Sequence, residues 1–82
     1  MKPHPHDIYL VKLGLNIRRI REEASITMTD LASKAEMEYR QLGRIERGEI
    51  NTSVISLLKI ADALEISIQQ FFDFKTKASN NL

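Results

Sequence analysis

The spacing of apolar residues predicts an all-α protein, a compact bundle of five helices. Three observations carry this reading. Apolar side chains recur at steps of three and four rather than in alternation. Helix breakers are scarce: the chain has three glycines and two prolines, and both prolines fall in the first five residues. Cap-competent residues stand just ahead of the apolar stripes. With 82 residues, 43% hydrophobic and 28% charged, the composition is that of one ordinary folded domain.

The first helix is expected from Asp7 to Glu23, with Asp7 as its N-cap. Leu10, Leu13, Ile17, Ile20 and Ala24 form one apolar stripe. Gly14 and Arg21 fall on or beside it. Gly14 permits close backbone approach, and an arginine turned inward needs a partner. The second helix opens at Thr27, whose capping partner three residues on is Asp30. Met28, Leu31, Ala32 and Ala35 are its buried stripe, and the break comes at Glu36-Met37. The third runs from about Glu38 to Arg47 and stops at Gly48. The fourth begins within Asn51-Thr52-Ser53 and turns Val54, Leu57, Leu58, Ala61 and Leu64 inward. The fifth begins at Ser67, with Gln70 as box partner, and buries Ile68, Phe71 and Phe72. The domain is expected over residues 7–74, with a disordered N-terminal tail at 1–6 and a flexible C-terminal tail at 75–82.

The third helix has two unlike faces. At about 100° per residue, Leu42, Ile45 and Glu46 cluster on one side, and Arg40, Arg44 and Arg47 lie nearly opposite. Tyr39, Gln41 and Gly43 flank the arginines. A guanidinium fork suits phosphate oxygens and the acceptor pair of guanine. Three arginines on a helix are by themselves only a solvated face. The preceding helix and turn give them a context.

Residues 28–47, MTDLASKAEMEYRQLGRIER, resemble a helix-turn-helix unit. Ala32 is the small residue where the helices cross, Glu36-Met37 is the tight turn, and Leu42 faces back. An ordered series widens the resemblance: Leu13-Gly14, Ile17-Arg18, Ile20-Arg21, Asp30-Leu31-Ala32, Arg44-Ile45-Glu46-Arg47-Gly48, Leu57-Leu58-Lys59-Ile60-Ala61, Ala63-Leu64 and Ile66-Ser67. Together these resemble the phage-repressor and Cro-like (XRE-type) regulators over Leu13 to Phe72. The resemblance implies a five-helix fold whose third helix enters the major groove of DNA.

On that resemblance, Tyr39, Arg40 and Arg44 reach base edges, with Gln41 and Gly43 as lesser candidates. Thr27, Met28 and Thr29 at the start of the second helix, with Arg47 and Asn51, are candidates for DNA phosphate. Arg21 and Glu46 match a paired position, and periodicity reaches the same two residues as charges on apolar faces. The pattern is broken at three places: Glu36 stands where the family has Gly, Glu38 where it has Ser or Thr, and Met28 where it has Gln.

The implied function is a sequence-specific DNA-binding regulator, a cytoplasmic repressor that reads a palindromic operator as a homodimer. Ile66, Ile68, Phe72 and Phe74 are the expected dimer surface. No separate ligand domain is expected, so regulation acts through concentration, dimerisation or a protein partner. Antitoxins and controllers of restriction–modification genes are among the small proteins of this type. The alternative is a protein-binding module of the same fold, such as an antitoxin-like partner, favoured by Glu36 and Glu38 beside the third helix.

Other classes find no support. The net charge of +1 carries no argument for or against nucleic acid. There is no cysteine, which excludes disulfides and thiolate chemistry. Ser, His and Asp form no nucleophilic arrangement, so no enzyme is expected. His4 and His6 are too few to make a metal site, and no cofactor is expected. No apolar run reaches the roughly 18–20 residues that cross a bilayer, and the N-terminal segment has no h-region of a secretory signal.

Overall fold

The computed structural model describes residues 6–75 and is all-helical, with no strand among them. Four α-helices and one short 3-10 helix follow one another: α1 Asp7–Glu23, α2 Met28–Lys34, α3 Tyr39–Glu46, α4 Val54–Leu64, then the 3-10 helix Ile68–Phe72. The expectations for residues 1–5 and 76–82 lie outside the described residues.

The fifth element is thus tighter than expected. The Gln70 amide donates to the Ser67 carbonyl at 3.0 Å, the i to i+3 pattern of a 3-10 turn. The Ser67 hydroxyl accepts from the Gln69 amide, not from Gln70, because the tighter winding brings the nearer amide round. At the other end of the chain, His6 occupies the N-cap of α1. Asp7 instead lies in the first turn, where its carboxylate faces the positive end of the helix. Thr27 and Ser53 cap α2 and α4 by accepting from the Asp30 and Ser56 amides at 3.1 and 3.0 Å.

All four α-helices end in the same way. After α1, α2, α3 and α4 the chain turns through a left-handed residue: Ser25, Glu36, Gly48 and Glu65, with φ of 58°, 54°, 70° and 58°. Each turn closes on two backbone hydrogen bonds, such as Glu36 to Ser33 at 3.1 Å and Met37 to Ala32 at 3.0 Å. Glu36 therefore keeps the left-handed geometry of the family's glycine, at a steric cost of about 1 kcal/mol.

The core forms where α1, α2, α3, α4 and the 3-10 helix meet. Phe71, Ile17, Leu31, Leu42, Ile45 and Ile60 are completely buried. α4 is rotated from the expected phase. Leu57, Ile60, Ala61 and Leu64 face in, while Val54 is 65% exposed and Leu58 39%. Ala24 is also exposed, because it lies past the end of α1. Phe72 is exposed, and only Phe71 of that pair enters the core.

Two sets of contacts tie α1 to the rest. A Cβ on Gly14 would stand 2.4 Å from the Glu46 carbonyl oxygen and 2.5 Å from that of Ile45. The backbones of α1 and α3 therefore touch here, and only hydrogen fits between them. On the other flank, Asn16 of α1 donates to the Phe71 and Asp73 carbonyls at 3.0 and 3.4 Å. Tyr9 stacks on Phe74 at 6.2 Å between ring centroids. The segment after the 3-10 helix is thus tied back to α1.

Candidate nucleic-acid interface

α3 is held from within by one ion pair. Arg21 lies on the side of α1 that meets α3, and it is 8% exposed; Glu46 is 5% exposed. Arg21 Nε donates to Glu46 Oε2 at 2.7 Å and Nη2 donates to Oε1 at 3.1 Å. Nη1 donates to the Ile26 carbonyl at 3.0 Å. One guanidinium thus joins α1, the α1–α2 turn and α3. Its hydrogen bonds to Glu46 hold the Arg21 pKa above its ordinary value against the opposing effect of burial.

The opposite face of α3 is open. Tyr39 is 58% exposed, and Arg40 and Arg44 are exposed beside it. Arg40, Arg44 and Gln41 line a cleft of about 420 Å³ with Glu38 and Ile50. Glu38 is the N-cap of α3 in extended conformation, but its side chain makes no capping hydrogen bond. Glu38 instead lines the cleft. Gln41 is half-buried, and its Nε2 donates to Ser56 Oγ at 3.4 Å, which links α3 to the first turn of α4.

Other residues singled out from the sequence are placed differently. Gly43 is buried rather than open: a Cβ there would meet Arg47 Nη1 at 3.0 Å and Met28 Cε at 3.3 Å. Its missing side chain makes room for those two residues, not for an outside surface. Thr27 and Thr29 are exposed at the start of α2, and Met28 lies over Gly43. Arg18, Arg21, Met28, Gly43, Glu46 and Arg47 line a second cleft of about 240 Å³. Asn51 is not part of either cleft. It lies against the start of α1, with His6, Asp7 and Leu10.

Glu49 is the residue that sequence reasoning passed over. Its Oε2 accepts from Arg47 Nε at 2.6 Å, and Oε1 accepts from Arg47 Nη2 at 3.3 Å. Arg44 Nε lies 4.0 Å from the same carboxylate. The Arg47 hydrogen bonds hold the Glu49 carboxyl below the usual carboxylate range, and the charges of Arg47 and Arg44 act in the same direction. Arg47 is raised in turn by the hydrogen bond to Glu49. The only signal in the sequence is an acidic residue directly after a helix-ending glycine.

The dimer candidates Ile66, Ile68 and Phe74 are half-buried against the core of their own chain, and Phe72 is 46% exposed. Among the described residues no group of three or more His, Cys, Asp or Glu is placed to hold a metal ion. No helix among them is long and apolar enough to cross a membrane.

Known proteins match this arrangement. A family model described as helix-turn-helix matches residues 17–71. An uncharacterized HTH-type transcriptional regulator of Sinorhizobium fredii is 33% identical over 55 residues, 67% of this chain and 71% of that protein. The immunity repressor protein of Bacillus phage phi105 is 38% identical over 56 residues, 68% of this chain but 39% of the repressor's length. The crystal structure of the restriction-modification controller protein C.AhdI from Aeromonas hydrophila superposes with a TM-score of 0.75 at 33% identity, covering 77% of this chain and 96% of the controller. The chain therefore belongs to the helix-turn-helix family of DNA-binding transcription regulators, in its phage-repressor and Cro-like branch.

Proposed function

We propose that the protein is a repressor that binds double-stranded DNA in a sequence-specific way, as a homodimer on a palindromic operator in the cytoplasm. The observation that carries this reading is the two-sided α3: Leu42, Ile45 and Glu46 are locked inside, and Tyr39, Arg40 and Arg44 stand outward, the two arginines lining an open cleft. Such a helix, held from behind, presents side chains to a major groove without losing its own packing. Tyr39, Arg40 and Arg44 read base edges in this account. Gln41 and Gly43 support the face rather than read from it. Thr27, Met28 and Thr29 meet phosphate, aided by the free amides of the helix start, while Arg47, the other phosphate candidate of this face, is held by Glu49. Asn51 serves as an outlying backbone contact.

The dimer reading is supported by exposed apolar surface. Val54, Ile55 and Leu58 share the outer side of α4, and Phe72 is exposed on the 3-10 helix, which touches α4. Ile66, Ile68 and Phe74 complete the surface. A dimer places two α3 helices about 34–36 Å apart, one turn of DNA. Sedimentation of Phe72→Glu and Leu58→Glu should give a monomer where the parent gives a dimer.

Selection of bound sequences from a random duplex pool tests the whole reading. Paired half-sites about one helical turn apart are expected. Arg40→Ala and Arg44→Ala should each relax preference at separate positions, at about 1–3 kcal/mol per lost bidentate contact. The exposed carboxylates Glu36 and Glu38, just ahead of α3, favour a second reading, a protein-binding module of the same fold. No enrichment of any duplex at low salt selects that reading instead.

A further inference from the structure

Glu49 has no part in the core, yet the backbone aims it at the basic face of α3. Gly48 takes a left-handed conformation, and the Glu49 amide donates to the Arg44 carbonyl at 2.9 Å. This closure folds the chain back over the last turn of α3. The carboxylate is thereby set against Arg47 through two hydrogen bonds and 4.0 Å from Arg44. All three side chains are about half exposed, at 58%, 47% and 48% for Arg47, Arg44 and Glu49. Ion pairs at such exposure contribute little to folding. The arrangement therefore has its main consequence for what approaches from outside.

We propose that Glu49 is a specificity-setting residue, a carboxylate held against Arg47 and Arg44 that competes with DNA phosphate for their guanidinium groups. The inference rests on the DNA-binding reading above. Non-specific binding draws almost entirely on phosphate neutralisation. In that mode Arg44 and Arg47 both turn to phosphates, and each phosphate must displace Glu49 and meet its repulsion. In a matched complex Arg44 turns to a base edge with Arg40 and Tyr39, and the Arg47–Glu49 pair persists. The penalty thus falls on the unmatched complex. The same carboxylate cancels part of the positive field that would hold the protein on any duplex.

Glu49→Gln keeps the side-chain shape and removes the charge. Its binding to a random-sequence duplex and to the duplex recovered by selection is compared with the parent over about 50–200 mM salt. On random duplex the variant should bind about five-fold more tightly at low salt. The slope of log affinity against log salt should steepen by about one. Affinity for the selected duplex should change less than about two-fold. In an Arg47→Ala background the gain on random duplex should shrink. A thermal melt matching the parent establishes that the variant is folded. Equal affinity and slope on random duplex overturns the proposal, and so does an equal gain on both duplexes. A parent that binds no duplex at low salt overturns the DNA-binding reading itself, and this is seen before the variant is made.

Discussion

Two arginine–glutamate pairs surround the end of α3, one buried and one at the surface. Arg21 grips Glu46 at 2.7 and 3.1 Å, and Arg47 grips Glu49 at 2.6 and 3.3 Å. Each is a two-point guanidinium–carboxylate pair, and the distances scarcely differ. Their surroundings differ completely: the side chains of the first pair are 10% and 4% exposed, those of the second 58% and 48%. The comparison teaches that bond length does not rank ion pairs. A partner removed from the inner pair leaves a charge that water cannot reach. A partner removed from the outer pair leaves a charge that water solvates at once.

The largest effect should come from breaking the inner pair. Arg21→Ala or Glu46→Ala is expected to lower stability by about 3–5 kcal/mol, read by denaturant melts. Unchanged stability in both would falsify the claim that this pair is energetically buried. The Arg21 guanidinium is raised further by Glu46 and stays charged across the accessible pH range. Alkaline titration to pH 10 should therefore leave this link intact.

Gly14→Ala tests the same junction through the backbone. The added methyl meets main-chain oxygens of Glu46 and Ile45, which have no rotamer to yield. A loss of about 2–3 kcal/mol is expected from forcing α1 and α3 apart. Wild-type stability in this variant shows that α1 and α3 are not in backbone contact.

A third change sets a scale between the two pairs. Glu36 holds φ of 54° in the turn between α2 and α3. Glu36→Gly should relieve steric cost and stabilise by up to about 1 kcal/mol. A melting temperature that falls instead places the strain elsewhere.

The smallest effect belongs to the outer pair. Glu49 has a lowered folded pKa, so any contribution it makes is present above the ordinary carboxylate range and lost as pH falls through the lowered value. At its exposure that contribution is slight. Glu49→Gln should leave the neutral-pH melting temperature unchanged within error. A clear drop shows that the outer pair is structural as well, and the contrast with Arg21–Glu46 weakens.

Residue by residue, legibility followed range along the chain. The stripes of α1, α2 and α3 could be read because polar and apolar residues separate cleanly around each helix. Arg21 and Glu46 stood out because each is a charge on such a stripe. α4 could not be phased in this way. Val54, Ile55, Leu57, Leu58, Ile60 and Ala61 leave little polar face to mark the outside, so periodicity alone turns Val54 and Leu58 inward and passes over Ile60. Spacing puts Gly43 beside the arginines of α3, but it does not say that Met28 and Arg47 cover it. Glu49 was invisible because helical periodicity ends at Gly48.

Helix formation, helix ends and the two-faced character of α3 follow from interactions among residues a few positions apart, and these are written directly in the order of side chains. The docking of α1 on α3 through Gly14, the covering of Gly43 by Met28 and Arg47, the choice of face on α4, and the return of Glu49 onto Arg44 and Arg47 emerge once the helices assemble. Each depends on a left-handed turn or a close crossing that brings distant surfaces together. Periodicity has no information about a neighbour's shape, so these contacts are decided by packing.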